Sequence, residues 1–321
     1  MNIVIIGGGT GTIPVITGLK KFTQNISVIV TMADSGGHSG YLRDQLGILP
    51  PGDVRNCIVS LADEKKKSLL RKLLDHRIHY PKNGFEENVG NLMLTALADI
   101  YGSFPKAVVK LSELLEINGK VIPVTTDSTH LIAKLENGRK IYREKNIDTP
   151  VFRDGKMKIQ KVWLKPIAKI NPQAEKAIMS AEIIVLGPGD LFTSIIPNLL
   201  VKGVSQAIRQ SKAKKIYCVN LMTKFGETHN YKAIDFIDQI ENYLNKKVLN
   251  YVIINSRTFS NGLLQKYAGQ KSFPVLYLQN DFKNRKYFDY SVDVAKTSGN
   301  YIRHDADKLA RAIMFLALSP K

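Results

Sequence analysis

Glycines, acids and amides in short clusters are the residues of this chain whose types and spacing carry chemistry. Gly7-Gly8-Gly9-Thr10-Gly11 follows the β-branched run Ile3 to Ile6 and precedes Val15, Ile16 and Leu19 at helical spacing, so the stretch reads as strand, glycine turn, helix. Glycines let backbone N–H groups approach an anion, and the helix start beyond them adds partial positive charge. The dinucleotide fingerprint G-x-G-x-x-G is met only in part, because Thr12-Ile13 follow Gly11; a phosphate socket and a turn needed for strand–helix packing are both open. After the second strand comes TMADSGGHSGYLRDQLGILPPGDVRNC, with Asp34 25 residues beyond Gly9, the interval at which an acid holds a ribose hydroxyl. Ser35, Gly36, Gly37, Ser39 and Gly40 add small side chains and free backbone donors. Asp53 is either a helix cap or a metal ligand or general base beside a phosphate. Asn56 and Arg55 lie within one turn of it, and for Arg55 a surface salt bridge is the alternative.

Three later stretches carry the same character. NVGNLMLTAL sets Gly90 and Asn91 at the start of an apolar helix, VLGPGDLFTSIIPNLL sets Gly187-Pro188-Gly189-Asp190 directly after an apolar strand, and VNLMT sets Asn220 at a strand end. Strand ends are where open parallel sheets bind ligands. Nucleophilic and P-loop chemistry are disfavoured: the chain has no G-x-S-x-G elbow, no triad context for its histidines, and no Walker lysine after the glycine turn. His76 and His79, at i and i+3, read as a solvated pair rather than metal ligands.

The elements that must position these residues alternate. Strands are expected at 3–6, 27–31, 183–186, 216–219 and 251–254, with helices to about 22, near 53–62, 65–75, 89–102, 105–116, 171–180, 199–210, 231–245 and 305–318, the last packing on the sheet. Between about 119 and 166 short β segments (121–124, 131–135, 140–143, 159–164) with Asn-Gly and Asp-Gly turns predict a β-rich insertion. The pattern predicts an α/β fold of one domain over 1–321, a mostly parallel sheet between helical layers.

With 321 residues and 44% hydrophobic content the chain can bury a sizeable core. A strand beginning at residue 3 leaves no room for a leader, no apolar run reaches a membrane span, and Cys57 and Cys218 stand apart without metal spacing, so a cytoplasmic protein with buried thiols is expected. The formal charge of +18 is spread over single lysines and short groups such as Lys65-Lys66-Lys67, and with no RNA-recognition motif nucleic acid is set aside as a partner.

IIGGGTGT, TMADSGGHSGYLRDQLGILPPGDVRNC, NVGNLMLTAL, VIPVT, IIVLGPGDLFTSIIPNLL, CVNLMTKFGET and YIRHDADKLARAI, in this order, resemble the gluconeogenesis factor family within the CofD-like 2-phospho-L-lactate transferases. The resemblance implies a Rossmann-like three-layer α/β/α fold, a site for UDP-N-acetylglucosamine-type sugars, a link to gluconeogenic growth, cell shape and peptidoglycan synthesis, and no settled catalytic reaction. A cell-wall synthesis protein and a second copy of the chain are the partners expected with it. Carried onto this chain, the ligand-binding residues are Gly8, Gly9, Thr10, Gly11, Asp34, Ser35, Asp53, Asn56, Gly187, Asn198, Asn220 and Arg303, to which the residue patterns themselves add Gly36, Gly37, Asn91 and Gly189. Arg303 is the cation for a diphosphate, with a surface arginine as the alternative. Mg²⁺ on Asp34 or Asp53 belongs to the rival reading, a transferase moving a phospholactate-type group from a nucleotide-activated donor to a deazaflavin. Three positions depart from the family pattern: His38 replaces a serine, Glu86-Glu87-Asn88 replaces Gly-His-Ser, and Asp190 replaces a serine.

Overall fold

The computed structural model describes residues 1–63, 68–81, 84–151 and 153–319. The lysine run 65–67, with the first residues of the helix expected from 65, lies outside them. Strand β1 (Ile3–Gly7) turns into α1 (Gly9–Leu19); β2 (Ile26–Val30) is followed by α2 (Gly37–Leu46), α3 (Gly52–Leu61) and α4 (Ser68–Asp75). A hairpin, β3 (Arg77–Tyr80) and β4 (Phe85–Asn88), and helices α5 (Val89–Tyr101) and α6 (Phe104–Leu114) lead to β5 (Lys120–Pro123). Then come β6 (His130–Leu135), β7 (Lys140–Tyr142), α7 (Glu144–Asp148), β8 (Ile159–Lys165), α8 (Pro172–Met179) and β9 (Ile183–Leu186). A π-helical turn (Leu191–Ile195) runs into α9 (Ile196–Leu200), followed by α10 (Val204–Gln210), β10 (Lys214–Cys218), α11 (Ala233–Tyr243), β11 (Tyr251–Asn255) and α12 (Asn261–Gly269). The last elements are β12 (Phe288–Val292), the hairpin β13 (Ala295–Ser298) and β14 (Tyr301–His304), and α13 (Ala306–Leu318).

Seven strands form one sheet in the order β12-β11-β10-β9-β1-β2-β5, and every pairing in it is parallel. The all-apolar runs of β1 and β9 are buried at every residue, because a sheet covered on both faces has no solvent side to alternate with. The chain moves one way from β1 to β2 and the other way from β9 to β10 and β11. Right-handed crossovers therefore put α1 on one face and α10 and α11 on the other, which gives the three-layer Rossmann-like arrangement.

Several sequence expectations are corrected. The segment 121–124 is not part of the antiparallel excursion: β5 pairs with β2 as the edge of the main sheet, and the separate three-stranded sheet is β7-β6-β8. The single helix expected over 199–210 is interrupted at Val201 and at Gly203, whose φ of +106° is a value that glycine adopts without strain. The last helix packs chiefly on α1: a Cβ on Gly18 would lie 2.1 Å from the carbonyl oxygen of Ala306, so the two helices meet backbone to backbone. His76 and His79 are both exposed, as expected of a solvated pair, and His79, in β3, pairs with Glu86 at 2.9 Å. Cys57 and Cys218 are buried and free, as expected.

Candidate functional site

Strand order reverses between β1 and β9, and the two turns that leave these strands meet there. A Cβ on Gly11 would lie 2.5 Å from the carbonyl oxygen of Pro188 and 2.6 Å from Cα of Gly189. Gly187 holds φ +70°, a left-handed value that favours glycine and turns the chain sharply off β9. The two glycine segments thus meet at the strand-order reversal, the crevice position at which open α/β sheets take ligands.

The first loop is also occupied from within the chain. Gly9 sits against α3: a Cβ there would lie 2.5 Å from Asp53 Oδ1 and 2.7 Å from Asp53 Cα, and the Gly9 N–H donates to the Asp53 carboxylate. The positive end of α1 is therefore already met by an internal anion. Both readings of the glycines have a structural basis: Gly9 and Gly11 are required by packing, while Thr10 is exposed at the helix start. Thr12 donates to the Gly8 carbonyl at 2.5 Å. Asn56 lies beside Gly9, and its Oδ1 accepts from Arg55 Nη2 at 2.5 Å. Arg55 is turned inward and pairs with Asp75 at 2.7 Å, so neither a ligand grip nor an ordinary surface salt bridge describes it.

The second loop is tied to α3 and α7. Asp34 accepts the Gly36 N–H at 2.8 Å; Ser39 accepts the Gly52 N–H at 3.0 Å and ties the loop to α3. Gly37 is exposed, with φ +48°. The Ser35 N–H donates to Glu144 at 3.1 Å, and Ser35 Oγ accepts the Lys145 N–H at 3.0 Å, so α7 is clamped onto the loop from the antiparallel excursion. Burial, chiefly, and then the neighbouring Asp34 push the Asp53 carboxyl up to about 7 and that of Glu144 up to about 8. Burial also raises Asp34.

A second acidic group lies on the other wall. Lys224 Nζ is 2.7 Å from Asp190 and 3.3 Å from Glu227, and also pairs with Asp148. The three carboxylates lie close enough together to hold a metal ion, but the ammonium group already serves as their cation. Glu227 is buried and accepts from the Phe192 N–H at 3.0 Å and from Thr193 Oγ1 at 2.9 Å. Burial pushes it up to about 7 against the opposing pull of Lys224.

The departures from the family pattern now have partners. Asp190 is matched by Lys224. His38 is buried, and its Nδ1 accepts the Asn88 N–H at 3.0 Å, while Asn88 Oδ1 caps α5 through the Asn91 N–H at 2.9 Å. An imidazole from α2 thus stands at the junction where this chain lacks the histidine of the family pattern.

Two expected ligand residues are placed otherwise. Asn198 is fully buried; its amide donates to the carbonyl of Gly7 at 3.1 Å and to that of Ser194 at 2.8 Å, so it braces the glycine turn from behind rather than facing a ligand. Arg303 is exposed on the β13–β14 hairpin, over the Tyr301 ring at 5.1 Å and bonded to the Ile302 carbonyl, which matches the surface alternative. Asn91 is buried, Gly189 lies against Gly11, and Asn220 is half-buried just beyond β10. Sequence reasoning missed Glu144, Asp148, Lys224 and Glu227. The last two were within reach as opposite charges three residues apart just beyond a strand end; the first two lay in the excursion, whose fold-back no local pattern signals.

A parallel sheet wound in both directions with a polar crevice at its reversal is the general architecture of nucleotide-binding α/β proteins. The family model described as 2-phospho-L-lactate transferase CofD matches residues 3–294. A Thermoanaerobacterium thermosulfurigenes protein named "Putative gluconeogenesis factor" is 44% identical over 98% of this chain and 96% of its own. The "Gluconeogenesis factor" of Bacillus subtilis is 35% identical over 98% of each. The chain therefore belongs to the CofD family, among its gluconeogenesis factors. A crystal structure of a UPF0052-family protein from Bacillus halodurans superimposes with a TM-score of 0.92, at 36% identity, over 98% of this chain and 99% of that one.

Proposed function

We propose that the crevice binds a nucleotide sugar of the UDP-N-acetylglucosamine type and that the protein is a cytoplasmic regulator without turnover, linked to gluconeogenic growth, cell shape and peptidoglycan synthesis. The observation that carries this reading is the meeting of Gly11 with Pro188 and Gly189 at the sheet's reversal, under Asp34 and Asp53. A sensor works through different affinities for the ligand in two states, and the clamp between Ser35 and α7 is the contact that would differ between them. No helix among the described residues is long and apolar enough to cross a membrane.

Asp34 and Asp53 repel each other. This donor set suits Mg²⁺, which would neutralise the ligand's diphosphate and lower both carboxyls. The transferase alternative needs an aromatic acceptor pocket, and Trp163, on β8, belongs to the three-stranded sheet rather than to the crevice.

Calorimetric titration with UDP-N-acetylglucosamine, UDP, GDP and NAD, with and without Mg²⁺, tests the reading. Saturable UDP-sugar binding with the ligand recovered intact is expected. Preference for GDP, or consumption of an activated donor when a deazaflavin is supplied, replaces the sensor with the transferase. Asp34→Ala weakens binding without unfolding the protein, and undiminished affinity removes Asp34 from the site.

A further inference from the structure

The three-stranded sheet has two faces, and the register separates their chemistry. Leu131, Ala133 and Leu135 of β6, with Ile141, Val162, Leu164 and Ile159 opposite them, are buried in the main core. The other face carries His130, Ile132 and Lys134. Across the strands, Lys134 stands directly opposite both Lys140 and Lys161. In the next row Ile132 lies between Tyr142 and Trp163, and beyond it His130 pairs with Lys165. Tyr142 is 57% exposed, and Lys161 Nζ lies 5.8 Å from the centre of the Trp163 ring.

Like charges directly opposite one another destabilise a sheet, and three lysines side by side repeat that cost. Among the described residues none of Lys134, Lys140, Lys161 or Lys165 forms an ion pair that would offset it. Glu136, at this end of the sheet, accepts the Lys158 N–H at the turn. Adjacent strands are about 4.8 Å apart and alternate residues about 6.7 Å apart, so the face is a small grid in which a cationic row borders an aromatic row. Aromatic rings that stack bases, beside lysines that follow a phosphate backbone, are the two parts of a single-strand binding platform. Separated along the sequence, these lysines give no motif; antiparallel pairing brings them together.

We infer that this outer face binds single-stranded nucleic acid, with bases on Tyr142 and Trp163 and phosphates on Lys134, Lys140, Lys161 and Lys165. Double-stranded nucleic acid presents no free base face to the rings, and a lipid surface gains little from a grid with only two aromatic residues.

The test is fluorescence anisotropy of the whole protein with fluorescein-labelled oligo-U and oligo-dT dodecamers at several salt concentrations. Saturable binding is expected. Lys140→Gln with Lys161→Gln weakens it about tenfold or more and lowers the salt slope by about 1.4. Tyr142→Leu, which keeps cover over Ile132 but removes the ring, weakens it about fivefold or more. Lys246→Gln with Lys247→Gln removes the same charge elsewhere and changes affinity less than about threefold. Melting curves confirm that each variant is folded. The inference is overturned if no strand binds, if both lysine pairs lose affinity equally, if duplex of the same length binds as well and Tyr142→Leu has no effect, or if anionic vesicles are bound and oligonucleotides are not.

Discussion

At the scale of single residues, the crevice is governed by carboxylates whose protons are held more tightly than usual. Asp53 faces Asp34 and caps the Gly9 N–H, so its charge opposes any diphosphate near α1. With its carboxyl near 7, Asp53 gains charge between pH 6 and 8. UDP affinity measured calorimetrically without Mg²⁺ therefore falls over that range, by about fivefold for a repulsion on the order of 1 kcal/mol. Asp53→Asn keeps the shape without the charge, and its affinity should be nearly flat with pH; an unchanged pH profile would remove Asp53 as the cause. Lys224 is the converse case, one cation serving Asp148, Asp190 and Glu227. Its side chain is 30% exposed, so Lys224→Met is expected to cost about 2 kcal/mol, below the 3–5 kcal/mol of a fully buried broken pair. Adding Asp190→Ser removes one of the unmatched charges and should recover part of that loss, as read in denaturant midpoints. If the double variant is no more stable than the single, Asp190 is not what Lys224 compensates. Asp190 was visible in the sequence as an added charge; its pairing with Lys224 was not, because it depends on two strand ends coming together.

At the scale of elements, the glycines separate into those that packing demands and those that it does not. On Gly11 a Cβ would meet backbone atoms of Pro188 and Gly189 within 2.6 Å, and backbone cannot rotate away as a side chain can. Gly11→Ala should therefore cost about 1–3 kcal/mol, the range of overpacked sites, and should weaken nucleotide binding as α1 moves away from the β9 turn. On Gly36 the nearest atom is Asp34 Oδ1 at 3.5 Å, an ordinary contact, so Gly36→Ala should stay within about 0.5 kcal/mol of the parent. Gly18→Ala, against the carbonyl of Ala306, should be as damaging as Gly11→Ala while lying far along α1 from the crevice. Thermal melts of the three variants check the ranking, and a harmless Gly18→Ala would mean that α1 and α13 can separate at little cost. The glycine turn and the central strands were legible because each is a local pattern of β-branched runs and glycine clusters. The α1–α13 contact was not, since Gly18 in an apolar helix reads locally as no more than a weak helix former, and the excursion was placed one strand too early because β5 resembles its neighbours in composition but pairs with β2.

At the scale of the whole molecule, the buried acids set how stability responds to pH. Asp53, Glu144 and Glu227 have ordinary values near 4 and folded values of about 7, 8 and 7, so between these limits the folded state binds more protons than the unfolded chain. Stability then falls as pH rises through that window, fully present below the unfolded values and lost above the folded ones. Three histidines act in the opposite sense at lower pH: burial holds His38, His130 and His304 below the usual imidazole value, so they cost stability as pH drops below about 6.5. Asp293 and the exposed Asp307, held low by Lys308 and Lys21, titrate below both windows. The carboxylates are left unopposed from pH 6.5 to 8, where melting temperature should fall steadily, and the triple variant Asp53→Asn, Glu144→Gln, Glu227→Gln should melt at nearly the same temperature across that range. Charge at large does not mimic this result, because the lysines that give the chain its +18 keep their protons throughout the interval. A parent melting temperature that is flat or rising from pH 6.5 to 8 would show that the acids around the crevice are ionised already at neutral pH, and the same outcome would remove the pH dependence expected of nucleotide binding at Asp53.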